Sequence, residues 1–112
     1  MSENQRIKNM PLGEAVDLAG LVAYAPGQVM SRTLAQNDAL SITLFALDAG
    51  EAISAHTTPG DALVVVLDGQ AILEIGGVRI PTAAGQATVM PAGIPHALYA
   101  EQRFKMLLVV VK

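Results

Sequence analysis

The sequence predicts an all-β protein, an antiparallel sandwich or barrel, from three observations. Short β-rich runs recur at nearly regular spacing from residue 28 onward, each bounded by Gly, Pro, Asn or Asp. Dipeptides suited to tight turns, Asp68-Gly69 and Gly76-Gly77, separate three of these runs. The 112 residues, 52% of them hydrophobic, are enough for one core but too few for two domains. We therefore expect one β domain over residues 11–112, preceded by a flexible polar N-terminus over residues 1–10.

The individual elements can be placed in chain order. Residues 10–25 mix apolar positions with Pro11, Gly13 and Gly20 and allow one short N-terminal helix followed by extended chain. Nine strands are predicted after this region, over residues 29–34, 39–47, 53–56, 62–67, 70–75, 78–80, 87–90, 96–100 and 104–111. Because tight turns follow the fourth and fifth of these strands, residues 62–80 are expected to form a three-stranded meander.

Composition argues against several kinds of partner. The net charge is −3 and the seven Lys and Arg residues form no basic stripe, so nucleic acid is not an expected partner. The chain has no cysteine, which excludes disulfides, thiolate nucleophiles and Cys-based metal sites. The uncharged run 80–100 is interrupted by Pro81, Pro91 and Pro95, so no membrane segment is expected. The polar start does not look like a signal peptide, and the expected location is the cytoplasm.

Two stretches each contain one of the only two histidines. Residues 50–69 read GEAISAHTTPGDALVVVLDG, and residues 85–100 read GQATVMPAGIPHALYA. Their spacing resembles the paired motifs of the cupin superfamily, G-x5-H-x-H-x3-E-x6-G and G-x5-P-x-G-x2-H-x3-N. The two motifs fall on Gly50, His56, Thr58, Ala62 and Gly69, and on Gly85, Pro91, Gly93, His96 and Ala100. The second His, the Glu and the closing Asn of the family pattern are therefore replaced.

The resemblance implies a small single-domain cupin, an antiparallel jelly-roll β-barrel that holds a metal or a small ligand inside. In that family the motif strands turn one face inward, and side chains alternate across a strand, so His56 and His96 are expected to converge. The predicted pocket consists of His56, Thr58, Ala62, Val64, His96, Leu98 and Met106. Imidazole nitrogens suit transition metals, so an optional and weakly held divalent ion, Zn, Ni, Cu, Fe or Mn, is expected at the two histidines.

A third metal ligand is not assigned. A catalytic site usually has three protein ligands and an open position. Asp61 lies one residue from the family's Glu position, which turns it to the opposite face unless the strand is bulged. Met106 could contact copper, although a methionine in such a place more often fills a gap in the core.

Two classes of function remain open from the sequence. The first is a small-molecule-binding barrel with a pocket around the two histidines. The second is a metal-dependent cupin enzyme, of the dioxygenase, isomerase or decarboxylase type, acting on a small oxygenated compound. The missing ligands weaken the second class, and histidines that are only hydrogen-bonded core residues form a third interpretation. A homodimer is also expected, because both faces of strand 104–111 are apolar.

Overall fold

The structure, a computed structural model, describes residues 6–112. Within these residues the chain forms nine β-strands, as the sequence predicts. Their bounds are β1 Val29–Gln36, β2 Leu40–Leu47, β3 Ala52–His56, β4 Asp61–Asp68, β5 Gln70–Ile75, β6 Val78–Ala83, β7 Ala87–Met90, β8 His96–Tyr99 and β9 Phe104–Val111. None of the helices in this part of the chain is long and apolar enough to cross a membrane.

The strands form two antiparallel sheets that pack face to face. One sheet has the order β1-β2-β9-β4-β7, and the other has the order β3-β8-β5-β6. The core between them is built from side chains at alternate strand positions, since the pleat turns every second residue inward. It includes Leu47, Val64, Val66, Leu73, Met90, Leu98, Phe104 and Met106. The predicted all-β barrel is confirmed.

The predicted meander over residues 62–80 is wrong. Only Gly69 separates β4 from β5, yet β4 pairs with β7 and β9 whereas β5 pairs with β6 and β8. The chain therefore changes sheet at Gly69, and of the two predicted turns Gly76-Gly77 forms the hairpin. Gly69 has φ +72°, and a Cβ there would overlap the carbonyl oxygen of Arg103. A positive φ suits a sheet corner as well as a hairpin turn, so the Asp-Gly pair could not distinguish the two.

Residues of the N-terminal segment cover part of the outer face of the five-stranded sheet. The segment contains one short 3₁₀ helix, Leu18–Leu21, where the sequence allows a helix. Apolar side chains from both sides form a second cluster, which includes Met10, Leu18, Leu21, Val22, Leu34, Leu44, Ala46 and Leu107. Leu107 of β9 is thus covered within one chain, whereas Val111 remains 58% exposed. The homodimer stays a prediction.

The start of this segment is tied to β1 by hydrogen bonds. The Lys8 amide donates to the Leu34 carbonyl at 2.8 Å, and Asn9 Nδ2 donates to the Thr33 carbonyl at 2.7 Å. In the opposite direction, Arg32 Nη1 of β1 donates to the Asn9 carbonyl at 2.9 Å. Of the predicted flexible N-terminus, residues 1–5 lie outside the described residues, and the domain boundary at residue 10 stays a prediction.

Tyr24 anchors the end of the covering segment to the barrel. Its hydroxyl donates to Asp68 Oδ2 at 2.6 Å. The Arg103 guanidinium carbon and Lys105 Nζ lie 4.6 and 4.9 Å from the centre of its ring, within the range of cation–π attraction. Burial, followed by the hydrogen bond and charge of Asp68, raises the pKa of Tyr24, while Arg103 opposes this. The hydroxyl therefore remains a donor at neutral pH.

We expect Tyr24→Phe to lower the free energy of unfolding by about 1 kcal/mol, because the hydroxyl–carboxylate bond is lost while the ring and its cation contacts remain. Tyr99→Phe is the matched control, since Tyr99 is 45% exposed and its hydroxyl has no hydrogen-bond partner within residues 6–112. Urea denaturation of both variants measures the difference. Equal losses in the two variants would contradict the anchoring role.

Candidate functional site

A cavity of about 460 Å³ opens between the two sheets. Most of its wall is apolar and comes from both sheets: Val29, Phe45, Ala52, Ile53, Ala62, Met90, Leu98, Leu108 and Val110. Its polar side chains are Ser54, His56, Thr58 and His96. Within the described chain no Lys, Arg, Asp or Glu lines this cavity. The wall therefore suits an uncharged, mainly apolar molecule, since nothing in it compensates a buried charge.

The two histidines meet on this wall. His56 of β3 is the register partner of His96 of β8. Their ring centroids are 4.4 Å apart and the ring planes are inclined by 70°, an edge-to-face contact. His96 is only 2% exposed, whereas His56 is exposed. One imidazole is therefore buried beside the cavity, and the other is open to solvent.

An irregularity in β3 brings additional side chains into the cavity. The register with β8 shifts between Ile53 and His56. Such a shift breaks the strict alternation of a strand, and both Ile53 and its neighbour Ser54 line the cavity. Pleat alternation alone predicts Ala52 and Ser54, and not Ile53, on the face of His56.

Backbone carbonyls fix the tautomers of both rings. Nδ1 of His56 lies 2.8 Å from the Ser54 carbonyl oxygen, and Nδ1 of His96 lies 3.2 Å from that of Ile94. A carbonyl oxygen can only accept, so each Nδ1 carries the proton and donates. In a neutral ring the lone pair is therefore on Nε2.

The Nε2 atom of His96 keeps some accessible surface. It has no hydrogen-bond partner in the described part of the chain. No buried side-chain nitrogen or oxygen atom among the described residues lacks a partner, so this nitrogen must be accessible. Because His96 lines the cavity, we infer that this lone pair faces the cavity contents.

Burial is the largest cause of a lowered pKa at His96, whose ordinary value is 6.5. The neighbouring His56 lowers the pKa further, because two imidazolium ions repel each other. The bond to the Ile94 carbonyl opposes both effects without outweighing them. His96 is therefore neutral at pH 7, with Nε2 as an acceptor.

We expect His96 to make the protein less stable as the pH falls below about 6.5. The unfolded chain protonates this imidazole near its ordinary pKa, while the folded protein does so only at lower pH, so the unfolded state binds more protons between the two values. The stabilising contribution is complete above the unfolded pKa and declines through that window. Urea denaturation at several pH values gives the free energy of unfolding as a function of pH. Between neutral and acid pH this free energy should fall less for His96→Gln than for the wild type, and an equal fall would contradict the expectation.

The structure brings five of the seven predicted pocket residues together on the cavity wall: His56, Thr58, Ala62, His96 and Leu98. The other two, Val64 and Met106, have no exposed surface and lie in the core between the sheets. Strand register explains the position of Met106. Ala62 pairs with Val110 beside the cavity, whereas Met106 pairs with Val66, four residues further along β4. Met106 therefore fills the interior and does not reach a metal or ligand at the histidines.

Several wall residues were not in the predicted pocket: Val29, Phe45, Ala52, Ile53, Met90, Leu108 and Val110. Ser54 was also outside it, although strand alternation places it on the face of His56. Some of these residues belong to β1, β2 and β9 of the five-stranded sheet, which faces the histidine-bearing strands. Alternation within one strand does not indicate which strand it faces across a barrel. The sequence did contain a signal for Leu108 and Val110, since they share the inward face of β9 with Met106.

In the described cavity wall, the usual metal-ligand side chains are the imidazoles of His56 and His96. Among residues 6–112 no group of three or more His, Cys, Asp or Glu side chains could hold a metal ion. Asp61 does not line the cavity, and its Oδ1 accepts a bond from the Ala92 amide at 2.8 Å. The Thr58 hydroxyl donates to the Gly60 carbonyl at 2.8 Å. These residues do not fit a tightly held catalytic metal, which usually has three protein ligands.

Comparison with known proteins identifies the family. The model of the Cupin domain family matches residues 43–112, more than half of the chain. This chain is a cupin. The match includes both histidine-containing stretches, and the family resemblance seen in the sequence is confirmed.

Two solved structures are similar to this cupin over almost their whole length. A conserved protein of unknown function from Streptococcus pyogenes is 48% identical, with a TM-score of 0.94 and coverage of 96% of this chain and 95% of the other. A cupin superfamily protein from Desulfitobacterium hafniense is 34% identical, with a TM-score of 0.90 and coverage of 95% and 97%. Neither description gives a reaction or a ligand.

A more distant likeness shows the fold alone. A salicylate 1,2-dioxygenase from Pseudaminobacter salicylatoxidans is 20% identical, with a TM-score of 0.68, over 78% of this chain and 27% of the other. No functionally curated protein matches the sequence. These comparisons establish the family and the fold, and the cavity is the feature that bears on function.

Proposed function

We propose that this cupin binds a small, mainly apolar molecule in the cavity that contains His56 and His96. The observation that supports the proposal most strongly is the chemistry of the wall, which is apolar except for two imidazoles and two hydroxyl side chains. A cavity of about 460 Å³ with a few convergent polar groups has the size and composition of a small-molecule site. The histidines then orient a ligand through Nε2.

A divalent metal ion is proposed only as an optional and weakly bound occupant. Both Nδ1–H groups donate to backbone carbonyls, an arrangement that also presents Nε2 to a metal. Zn, Ni, Cu, Fe and Mn accept imidazole nitrogen, but water would have to complete the coordination. Two protein ligands give weak binding, which a chelator should reverse.

Metal-dependent catalysis, of the dioxygenase, isomerase or decarboxylase type, is the second candidate. The imidazole pair favours it, because these two residues match two ligand positions of the family motif. It requires further ligands where this chain has Thr58 and Ala62, and neither side chain replaces them. Binding therefore ranks above catalysis.

We expect Ala62→Leu to abolish binding in the cavity. Ala62 is buried and lines the wall, so the larger side chain would occupy the space that a ligand needs. The probe is 4-methylphenol, titrated into ¹⁵N-labelled protein and followed by amide chemical shifts. In the wild type the shifts should be largest for residues of the cavity wall.

The matched control is Ala55→Leu, which adds the same atoms one residue before His56 at an exposed position outside the wall. This variant should bind the probe as the wild type does. Shifts on another face of the molecule, or equal loss in both variants, would contradict the proposed site.

A further inference from the structure

We infer that the cavity selects a neutral ligand with a hydrogen-bond donor on an apolar body, such as a phenol or an alcohol, and that Nε2 of His96 accepts this hydrogen bond. The inference rests on the proposed function and specifies the chemical class of its ligand. It follows from the tautomer of His96, from the absence of charged groups in the described wall and from the distribution of its polar side chains.

The tautomer of His96 makes the buried imidazole an acceptor. Its Nδ1 proton is committed to the Ile94 carbonyl at 3.2 Å, so the neutral ring presents only a lone pair to the cavity. A ligand oxygen without a hydrogen, as in an ether or a ketone, would leave that lone pair unpaired. Leaving a buried polar atom unpaired is unfavourable, and a ligand O–H or N–H removes that penalty.

The wall opposes an anionic ligand. No Lys or Arg of the described chain lines the cavity, so a carboxylate would be buried there without a counter-charge. The Nδ1 proton of His56 is committed to the Ser54 carbonyl, so this ring offers an anion no free N–H donor. A neutral hydroxyl compound needs no counter-charge.

The other polar side chains of the wall suit a hydroxyl group on the ligand. The Thr58 hydroxyl already donates to the Gly60 carbonyl. The Ser54 hydroxyl has no partner within residues 6–112 and can donate to a ligand oxygen. A hydroxyl group is both donor and acceptor and therefore suits His96 and Ser54 together. The apolar remainder of the ligand would pack against side chains such as Phe45, Leu98 and Leu108.

Three probes that share a methyl-substituted ring test the inference: 4-methylphenol, 4-methylanisole and 4-methylbenzoate. Calorimetric titration of the wild type at neutral pH should give an affinity for the phenol about tenfold above that for the anisole, because only the phenol donates. The benzoate should bind more weakly than the phenol. His96→Phe should bring the phenol and anisole affinities close together, while His56→Phe should keep most of the preference.

An NMR measurement on the wild type does not depend on the variants folding. The ¹⁵N shift of His96 Nε2 should move on addition of the phenol and not of the anisole. Suppose that phenol and anisole bind with equal affinity and that the amide chemical shifts change only for residues of the cavity wall. This result would overturn the donor inference and leave the proposed function intact. Tighter binding of the benzoate would overturn the neutral-ligand inference. Failure of both neutral probes to bind would overturn the proposed function as well.

Discussion

Thr58→His combined with Ala62→Glu is expected to bind Zn²⁺ or Ni²⁺ on the order of a hundredfold more tightly than the wild type, because it raises the protein ligands from two to four. Thr58 and Ala62 line the same cavity as the histidine pair and occupy the family's ligand positions. Each added side chain replaces a metal-bound water with a group that the fold already places. The wild type should lose its metal readily to a chelator.

Titration calorimetry with either ion compares the two proteins, and the single variants should give intermediate affinities. Ala55→Glu is the control for charge alone, since it adds a carboxylate beside His56 but outside the cavity wall. The apo form of the double variant should be less stable than the wild type, because an unpaired carboxylate is placed at a buried position. An affinity equal to that of the wild type would show that these four side chains do not converge.

Gly69→Ala is expected to destabilise the fold far more than Gly77→Ala. Both residues have positive φ, +72° and +82°, so the left-handed conformation should cost each variant about 1–2 kcal/mol. At Gly77 nothing lies within 4 Å of an added Cβ, whereas at Gly69 the Cβ would overlap the backbone of Arg103. Backbone atoms at a corner between two sheets cannot move as a side chain can.

Urea denaturation of both variants separates conformational strain from steric overlap. We expect Gly69→Ala to lose several kcal/mol, a large part of the about 5–15 kcal/mol that stabilises a typical domain. If Gly69→Ala folds too poorly to be measured, a reduced yield of folded protein, with a normal yield of Gly77→Ala, supports the same conclusion. Similar midpoints for the two variants would contradict the requirement for glycine at the sheet corner.

Much of the fold could be predicted from the sequence because strands and turns depend on local patterns, and the central histidine pair because its two motifs resemble those of cupins. Turn residues at regular spacing gave the nine strands close to their observed bounds. The positions of His56 and His96 within two spaced motifs predicted their convergence, and the structure places their rings 4.4 Å apart. The strand signals are contained in short stretches of chain, whereas the meeting of the two histidines followed from the family resemblance.

What could not be predicted depends on which elements meet across the barrel. The Asp68-Gly69 pair indicates a positive φ but not whether the next strand continues the sheet or joins the other one. Met106 was predicted to line the pocket, yet only pairing with β4 shows that Met106 lies in the core while Val110 lines the cavity. The second apolar face of β9 suggested a partner chain, and part of it is covered by the N-terminal segment.

The most direct measurement is the affinity of 4-methylphenol for protein treated with a chelator, compared with the same protein after equilibration with Zn²⁺. If the histidine pair belongs to a ligand site that needs no resident metal, the chelator-treated protein binds the phenol fully. Added Zn²⁺ then weakens that binding, because the ion and the ligand hydroxyl compete for the same Nε2 lone pairs. Binding that appears only after Zn²⁺ is restored would contradict this and would make the cavity a metal centre.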